Sequence, residues 1–98
     1  MIRRGGENVS SVLIEKTLRE HPHVAEAAVI GIPDPIYGEV VKAFVVLKTA
    51  RATTEGHLMD FCKEKLPAFK RPKSIRLMDS LPKSAVGKIL RRELRKIT

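Results

Sequence analysis

The stretch Leu81-Pro82-Lys83-Ser84-Ala85-Val86-Gly87-Lys88-Ile89-Leu90-Arg91-Arg92 concentrates the residue types that could do chemistry. An apolar, proline-containing approach ends in Ser-Ala-Val-Gly, one lysine follows, and a basic helix is predicted behind it. Gly87 permits a backbone conformation that a side chain would forbid. This reading places Lys88 where loop becomes helix, with four methylenes of reach and a compact ammonium charge. Unpaired N–H groups at a helix start add partial positive charge. Together these features suit an anion brought from outside, a carboxylate or a phosphate. The plainer reading is a glycine turn followed by a solvated lysine, and residue chemistry alone leaves both open. A nucleotide-hydrolase loop is excluded. In a G-x-x-x-x-G-K-[ST] frame, Pro82 stands for the first glycine and Ile89 for the hydroxyl residue. The nest of backbone donors and the magnesium-binding hydroxyl are therefore both missing.

Two further stretches have a chemical reading beside a structural one. Gly5-Gly6 lies between short extended arms and reads as a tight turn, though paired glycines also admit close approach of another molecule. Ala68-Phe69-Lys70-Arg71-Pro72-Lys73 is a basic loop with one aromatic. His21, His23 and His57 have no ligand-like spacing with Cys62 or the carboxylates, so no metal is expected. No Ser-His-Asp or Cys-His arrangement is evident.

The elements that must position these residues follow from pattern. Ser10 or Ser11 caps a helix to about Glu20, with Ile14, Leu18 and His21 on its apolar stripe and Glu15, Lys16, Arg19 and Glu20 mostly off it. His21-Pro22 ends it. Val24 to Ile32 is a short apolar run, predicted as a buried strand. Pro33 to Glu39 is a loop, and Val40 to Leu47 a second strand, in a hairpin with the first. Thr54 caps a helix to about Leu66, with Leu58, Phe61, Cys62 and Leu66 on its stripe. Ser74 to Met78 is a third strand, and a last helix runs from about Lys88 to Lys96. The expected class is α+β: a small mixed three-stranded sheet with an N-terminal hairpin and about three helices, the helices covering one side.

Composition bounds the rest. The 98 residues make one small domain, with bulk for one thin core and none to enclose a substrate. The chain either binds a partner or is one piece of a larger enzyme. A net charge of +8 calls for an acidic partner. Aromatic content is only 4%, which argues against a stacking platform for single-stranded nucleic acid. No helix-turn-helix or RNA-binding strand signature supports a basic nucleic-acid module either. The single Cys62 excludes an internal disulfide and fits a reducing compartment. No apolar run is long enough to span a bilayer and no export signal is seen, so a cytoplasmic location is expected.

Three stretches, in order, resemble one family. Arg4-Gly5-Gly6-Glu7-Asn8-Val9-Ser10 resembles the glycine-glycine segment that opens the C-terminal domain of adenylate-forming enzymes. Val29-Ile30-Gly31-Ile32-Pro33-Asp34, with Tyr37-Gly38-Glu39, resembles their central strand and loop. Leu81 to Ile89 resembles their closing lysine motif. The resemblance covers residues 1–98 and points to acyl-CoA synthetases and their relatives, the nonribosomal-peptide adenylation domains and beetle luciferases. It implies a two-step ligase: a carboxylate and ATP give acyl-adenylate and pyrophosphate, then the thiol of CoA displaces AMP. A large N-terminal domain would hold the acyl pocket, ATP and its Mg2+. This chain resembles the rotating lid alone, with the hinge and the N-terminal domain preceding Met1, and on its own it is expected to be inactive.

Residue by residue, the resemblance makes Lys88 the adenylation lysine, bridging substrate carboxylate and α-phosphate. It makes Gly5 and Gly6 the lining of the pantetheine channel. It assigns Phe69, Arg71 and Lys73 to the CoA nucleotide, ring against adenine and charges at phosphates. Tyr37 stands where many relatives carry a stacking Trp. With the sequence ending at Thr98, soon after Lys88, no carrier domain is expected, and the loop 69–73 is basic, so CoA is expected as acceptor; the alternative is the lid of a carrier-loading or nonribosomal-peptide adenylation domain.

Overall fold

The computed structural model describes residues 2–4, 7–36 and 38–97, and of residues 2–4, 7–9 and 69 the backbone only. The apolar run after Pro22 forms β3, Val24–Asp34, which pairs antiparallel with β4, Gly38–Leu47. Pairing continues to Pro33↔Glu39 and Asp34↔Gly38. The expected loop 33–39 is thus largely strand, with turn geometry at Pro35 and Ile36. Asp34 helps by accepting a hydrogen bond from the Ile36 amide at 2.9 Å on its Oδ1. Pro33 is tolerated because β3 lies at a sheet edge.

β5, Ser74–Leu77, runs parallel to β4 on its other side, which makes the sheet mixed as expected. β1, Ile2–Arg4, and β2, Glu7–Val9, form the N-terminal hairpin, joined to β4 through Arg4↔Gly38. The turn expected at Gly5-Gly6 lies outside the described residues, as does Tyr37.

α1, Ser11–Arg19, starts where the Ser10 hydroxyl accepts from the Leu13 amide at 3.3 Å. α2, Glu55–Lys65, starts where the Thr54 hydroxyl accepts from the His57 amide at 3.1 Å. Both caps follow the sequence. Ile14, Leu18, Leu58, Cys62 and Leu66 from these helices meet Val29, Val41, Ala43, Val45 and Ile75 on one face of the sheet. Burial in this cluster pushes the Cys62 thiol up from 9.0 to about 11, because the thiolate would lose its hydration.

Two expectations need correction. Helices do not cover one side only. Ala28, Ile30 and Phe44 point to the opposite face and are buried there under Leu81 and Leu94, the latter from α3, Arg91–Lys96. An apolar run without alternation, such as Ala27–Gly31, is what a strand buried on both faces requires. The last helix also starts three residues later than predicted, at Arg91. Among the described residues no helix is long and apolar enough to cross a membrane.

Candidate functional site

The late start of α3 changes what Lys88 is. Residues 83–89 form a miniature hairpin, with Lys83 and Ile89 bridged antiparallel. The Ser84 amide donates to the Lys88 carbonyl at 2.8 Å, and the Gly87 amide to the Ser84 carbonyl at 2.9 Å. The Ser84 hydroxyl accepts from the Lys88 amide at 3.2 Å. Gly87 closes this three-residue loop with φ of 84°, the left-handed position that such hairpins fill with glycine. Lys88 therefore leaves a rigid turn rather than a helix start. The helix-start charge invoked from sequence does not act at its backbone. The local amides it would have used are bonded within the hairpin.

The hairpin is bolted down on both arms. Leu81 is buried before it, Ile89 packs beneath it, and the Leu90 amide donates to the Pro82 carbonyl at 2.9 Å. Lys83 on the first arm ion-pairs with Glu26 of β3. Arg91, just past the second arm, donates through Nη2 to both Glu15 oxygens, at 2.9 and 2.6 Å. Glu15 Oε2 also accepts from the Val29 amide of β3 at 2.8 Å. Glu15 is only 5% exposed, although its charge placed it off the apolar stripe. Thr17, also buried, turns its hydroxyl back to the Leu13 carbonyl at 3.0 Å.

Against these committed cations, Lys88 is exposed, and among the described residues its ammonium has no hydrogen-bond or ion-pair partner. An exposed ammonium on a hydrogen-bonded hairpin can pair with an incoming carboxylate or phosphate. Val86 at the tip of the loop is 90% exposed.

The basic loop is built differently. The backbone of Phe69 lies in a 3-10 turn, Ala68–Lys70. Arg71 folds its guanidinium back over the end of α2, donating from Nε to the Leu66 carbonyl at 2.8 Å and from Nη2 to the Lys63 carbonyl at 3.0 Å. It thereby satisfies carbonyls left over at the helix C-terminus. Lys73 anchors by its backbone, donating to the Val41 carbonyl at 2.8 Å. Its ammonium lies 3.7 Å from Asp34 and is 64% exposed. An anion at this loop would meet the exposed Lys73 ammonium, whereas Arg71 has two of its five N–H donors committed to the end of α2. Of the remaining predicted site residues, Gly5, Gly6 and Tyr37 are outside the described residues. A cavity of about 750 Å³, lined by Val46, Leu47, Met78, Arg51 and Asp79 among others, includes none of the predicted site residues.

Fold and lysine hairpin together define a known class. The family described as the AMP-binding enzyme C-terminal domain matches residues 13–88, and the chain belongs to it. It is 45% identical, over 99% of its length, to a peroxisomal butyrate–CoA ligase of Arabidopsis thaliana, of which it spans 18%. It is equally similar, at 45% over 99%, to a 2-succinylbenzoate–CoA ligase of Bacillus cereus, of which it spans 20%. The crystal structure of ATP-bound MatB from Rhodopseudomonas palustris matches with a TM-score of 0.93 at 33% identity, over 99% of this chain and 19% of that one. The chain thus spans about a fifth of the length of the relatives it matches.

Proposed function

We propose that this chain is the lid domain of an AMP-forming acid–CoA ligase, working with a large N-terminal domain of the same protein. A substrate carboxylate oxygen attacks the α-phosphorus of ATP, and pyrophosphate leaves with the acyl-adenylate formed. The CoA sulfur then attacks the acyl carbon, its proton is lost, and AMP leaves. Two anions, carboxylate and triphosphate, must meet in the first step. Lys88 would lie against both and offset the charge that builds as the acyl–phosphate bond forms. The observation that carries this reading is the contrast within one motif: Lys83 and Arg91 are spent on Glu26 and Glu15, while the Lys88 ammonium has no partner among the described residues on the hairpin they fix. The CoA-ligase names of the relatives support the class of reaction.

In the second step Gly5 and Gly6 would line the path of the pantetheine arm, and Tyr37, Phe69, Arg71 and Lys73 would receive the CoA nucleotide. The hydrogen bonds of Arg71 to Leu66 and Lys63 shift the expected phosphate contact toward Lys73. ATP and its Mg2+ would be held by the N-terminal domain, and this chain by itself would catalyse neither step. The buried, unpaired Cys62 supports a reducing, cytoplasmic setting. The test is the complete protein with ATP, CoA and a panel of fatty, aryl and short polar acids. Acyl-CoA, AMP and pyrophosphate in equal amounts are expected for at least one acid. Release of ADP instead, or no turnover across the panel, would refute the proposal.

A further inference from the structure

Glu15 and Arg91 are joined across 76 positions of sequence, and the pair ties the two faces of the sheet together. Glu15 sits on α1, over the face of the sheet opposite α3. Its carboxylate reaches the edge of the sheet and takes the Val29 amide, an outward N–H of the edge strand. There it meets Arg91, which comes round the same edge from the other face. An exposure of only 5% for Glu15 makes this a fixed point rather than a solvated surface pair. Arg91 is the first residue of α3 and stands three positions beyond Lys88. Its Nε is buried with no hydrogen-bond partner among the described residues, so the guanidinium is held for its Nη2 contact even at that cost.

We infer that Glu15 is a positioning residue for the adenylation step: through Arg91 it fixes the exit of the hairpin and so the direction in which Lys88 points. The inference rests on the ligase reading above for its catalytic consequence. Its structural premise, that the pair holds the hairpin, can be judged without it. Lys83 with Glu26 fixes the opposite arm, so loss of Arg91 leaves the hairpin formed but hinged on one side.

Two measurements on the complete protein decide the matter. The first is hydrogen exchange of the Ser84, Gly87 and Leu90 amides, compared with those of β4. In Glu15→Gln, which keeps an acceptor for Val29, and in Arg91→Ala, exchange of these three amides should rise about tenfold with β4 unchanged. Unaltered exchange at the hairpin overturns the inference whatever the enzyme's reaction. The second follows the half-reactions separately. Acyl-adenylate formation, read as ATP–pyrophosphate exchange, should fall about 10- to 100-fold in both variants, the size that misplacing a catalytic group produces. Conversion of supplied acyl-adenylate and CoA to thioester should stay within about twofold of wild type, and Arg91→Lys should recover much of the first half-reaction. Equal losses in both half-reactions would make the pair merely structural and overturn the inference. Lys88→Ala run alongside separates the two proposals: if it leaves pyrophosphate exchange intact, the ligase reading of Lys88 has failed, and the positioning claim stands or falls on the exchange of the hairpin amides.

Discussion

The two faces of the sheet carry different loads. Among the described residues, twelve buried ones from α1, α2, the end of α2 and three strands interlock under these helices, Cys62 among them. On the opposite face five do so: Ala28, Ile30, Phe44, Leu81 and Leu94. The thick face has the contacts that hold a fold together. The thin face carries the hairpin with Lys88 and has just enough burial to seat it. A thinly buried element opens at lower free energy than a core helix, and here the small apolar anchor is supplemented by ion pairs at both arms of the hairpin. On the function proposed above, this domain keeps its stability on one side and its chemistry on the other, with Glu15 and Arg91 joined at the edge between them.

The largest effects should come from deleting one fully buried leucine on each face. Leu58 and Leu94 are both 0% exposed, and leucine-to-alanine changes at such sites cost about 2–5 kcal/mol. Leu58→Ala is expected to lower the thermal midpoint of the domain and reduce both half-reactions only in proportion to the unfolded fraction. Leu94→Ala should destabilise by a similar order and, at temperatures where the protein stays folded, slow acyl-adenylate formation further. Identical kinetic profiles for the two variants would dissolve the distinction between the faces.

Lys88→Ala sharpens it from the other side. The side chain is exposed and unpartnered among the described residues, so the thermal midpoint should not move. Acyl-adenylate formation should nonetheless fall by roughly two orders of magnitude or more, the loss typical of one preorganised electrostatic contact. Thioester formation from supplied acyl-adenylate should stay near wild type. Lys96→Ala, which removes a solvated pair with Glu93, is the control and should show no such split. A Lys88 variant slowed equally in both halves would return the residue to a plain surface lysine.

What the sequence made legible, and what it hid, divides along the same line. α1, α2 and the pairing of β3 with β4 were readable because each rests on local signals: a hydroxyl cap, a stripe, an apolar run ended by proline. The thin face was hidden because its elements are short. Six residues of α3 give too few turns for a stripe, and Lys88-Ile89-Leu90 has helix-forming composition that hairpin bonding overrides. One signal was present and unused, the unalternating run Ala27–Gly31, which demanded cover on both faces. Glu15 was misplaced because a helical wheel sends charge outward, whereas a carboxylate with an arginine and a backbone amide to bind can be buried.

Arg71→Ala tests whether a working residue can sit on the structural side. Its bonds to Leu66 and Lys63 make it part of the end of α2, and their loss should cost about 1–2 kcal/mol, allowing for partial exposure. The thermal midpoint should fall by several degrees. The proposed CoA role adds a second expectation: the KM for CoA rises a few-fold while pyrophosphate exchange is unaffected. A fall in midpoint with no change in CoA dependence would assign Arg71 to the helix alone and leave Lys73 as the predicted CoA-binding cation at that loop.

The smallest effect, and the cleanest, is expected at Gly87. A Cβ at that position would meet no atom of the described residues within 4 Å, so no clash with them accompanies a substitution. What remains is conformation, since φ is 84° and an alanine held in that region is strained by about 1 kcal/mol. Gly87→Ala should therefore destabilise little, because the thick face is untouched. It should instead shift the hairpin toward other backbone states and weaken adenylation a few-fold, with thioester formation spared. Gly87→Asn supplies the decisive comparison. Asparagine tolerates the left-handed region far better than alanine while adding more bulk. If backbone conformation is what matters, Asn restores much of the activity that Ala loses; if open space around the loop is what matters, Asn is the worse of the two. A ranking of Gly above Asn above Ala in pyrophosphate exchange would show that the turn acts by aiming Lys88.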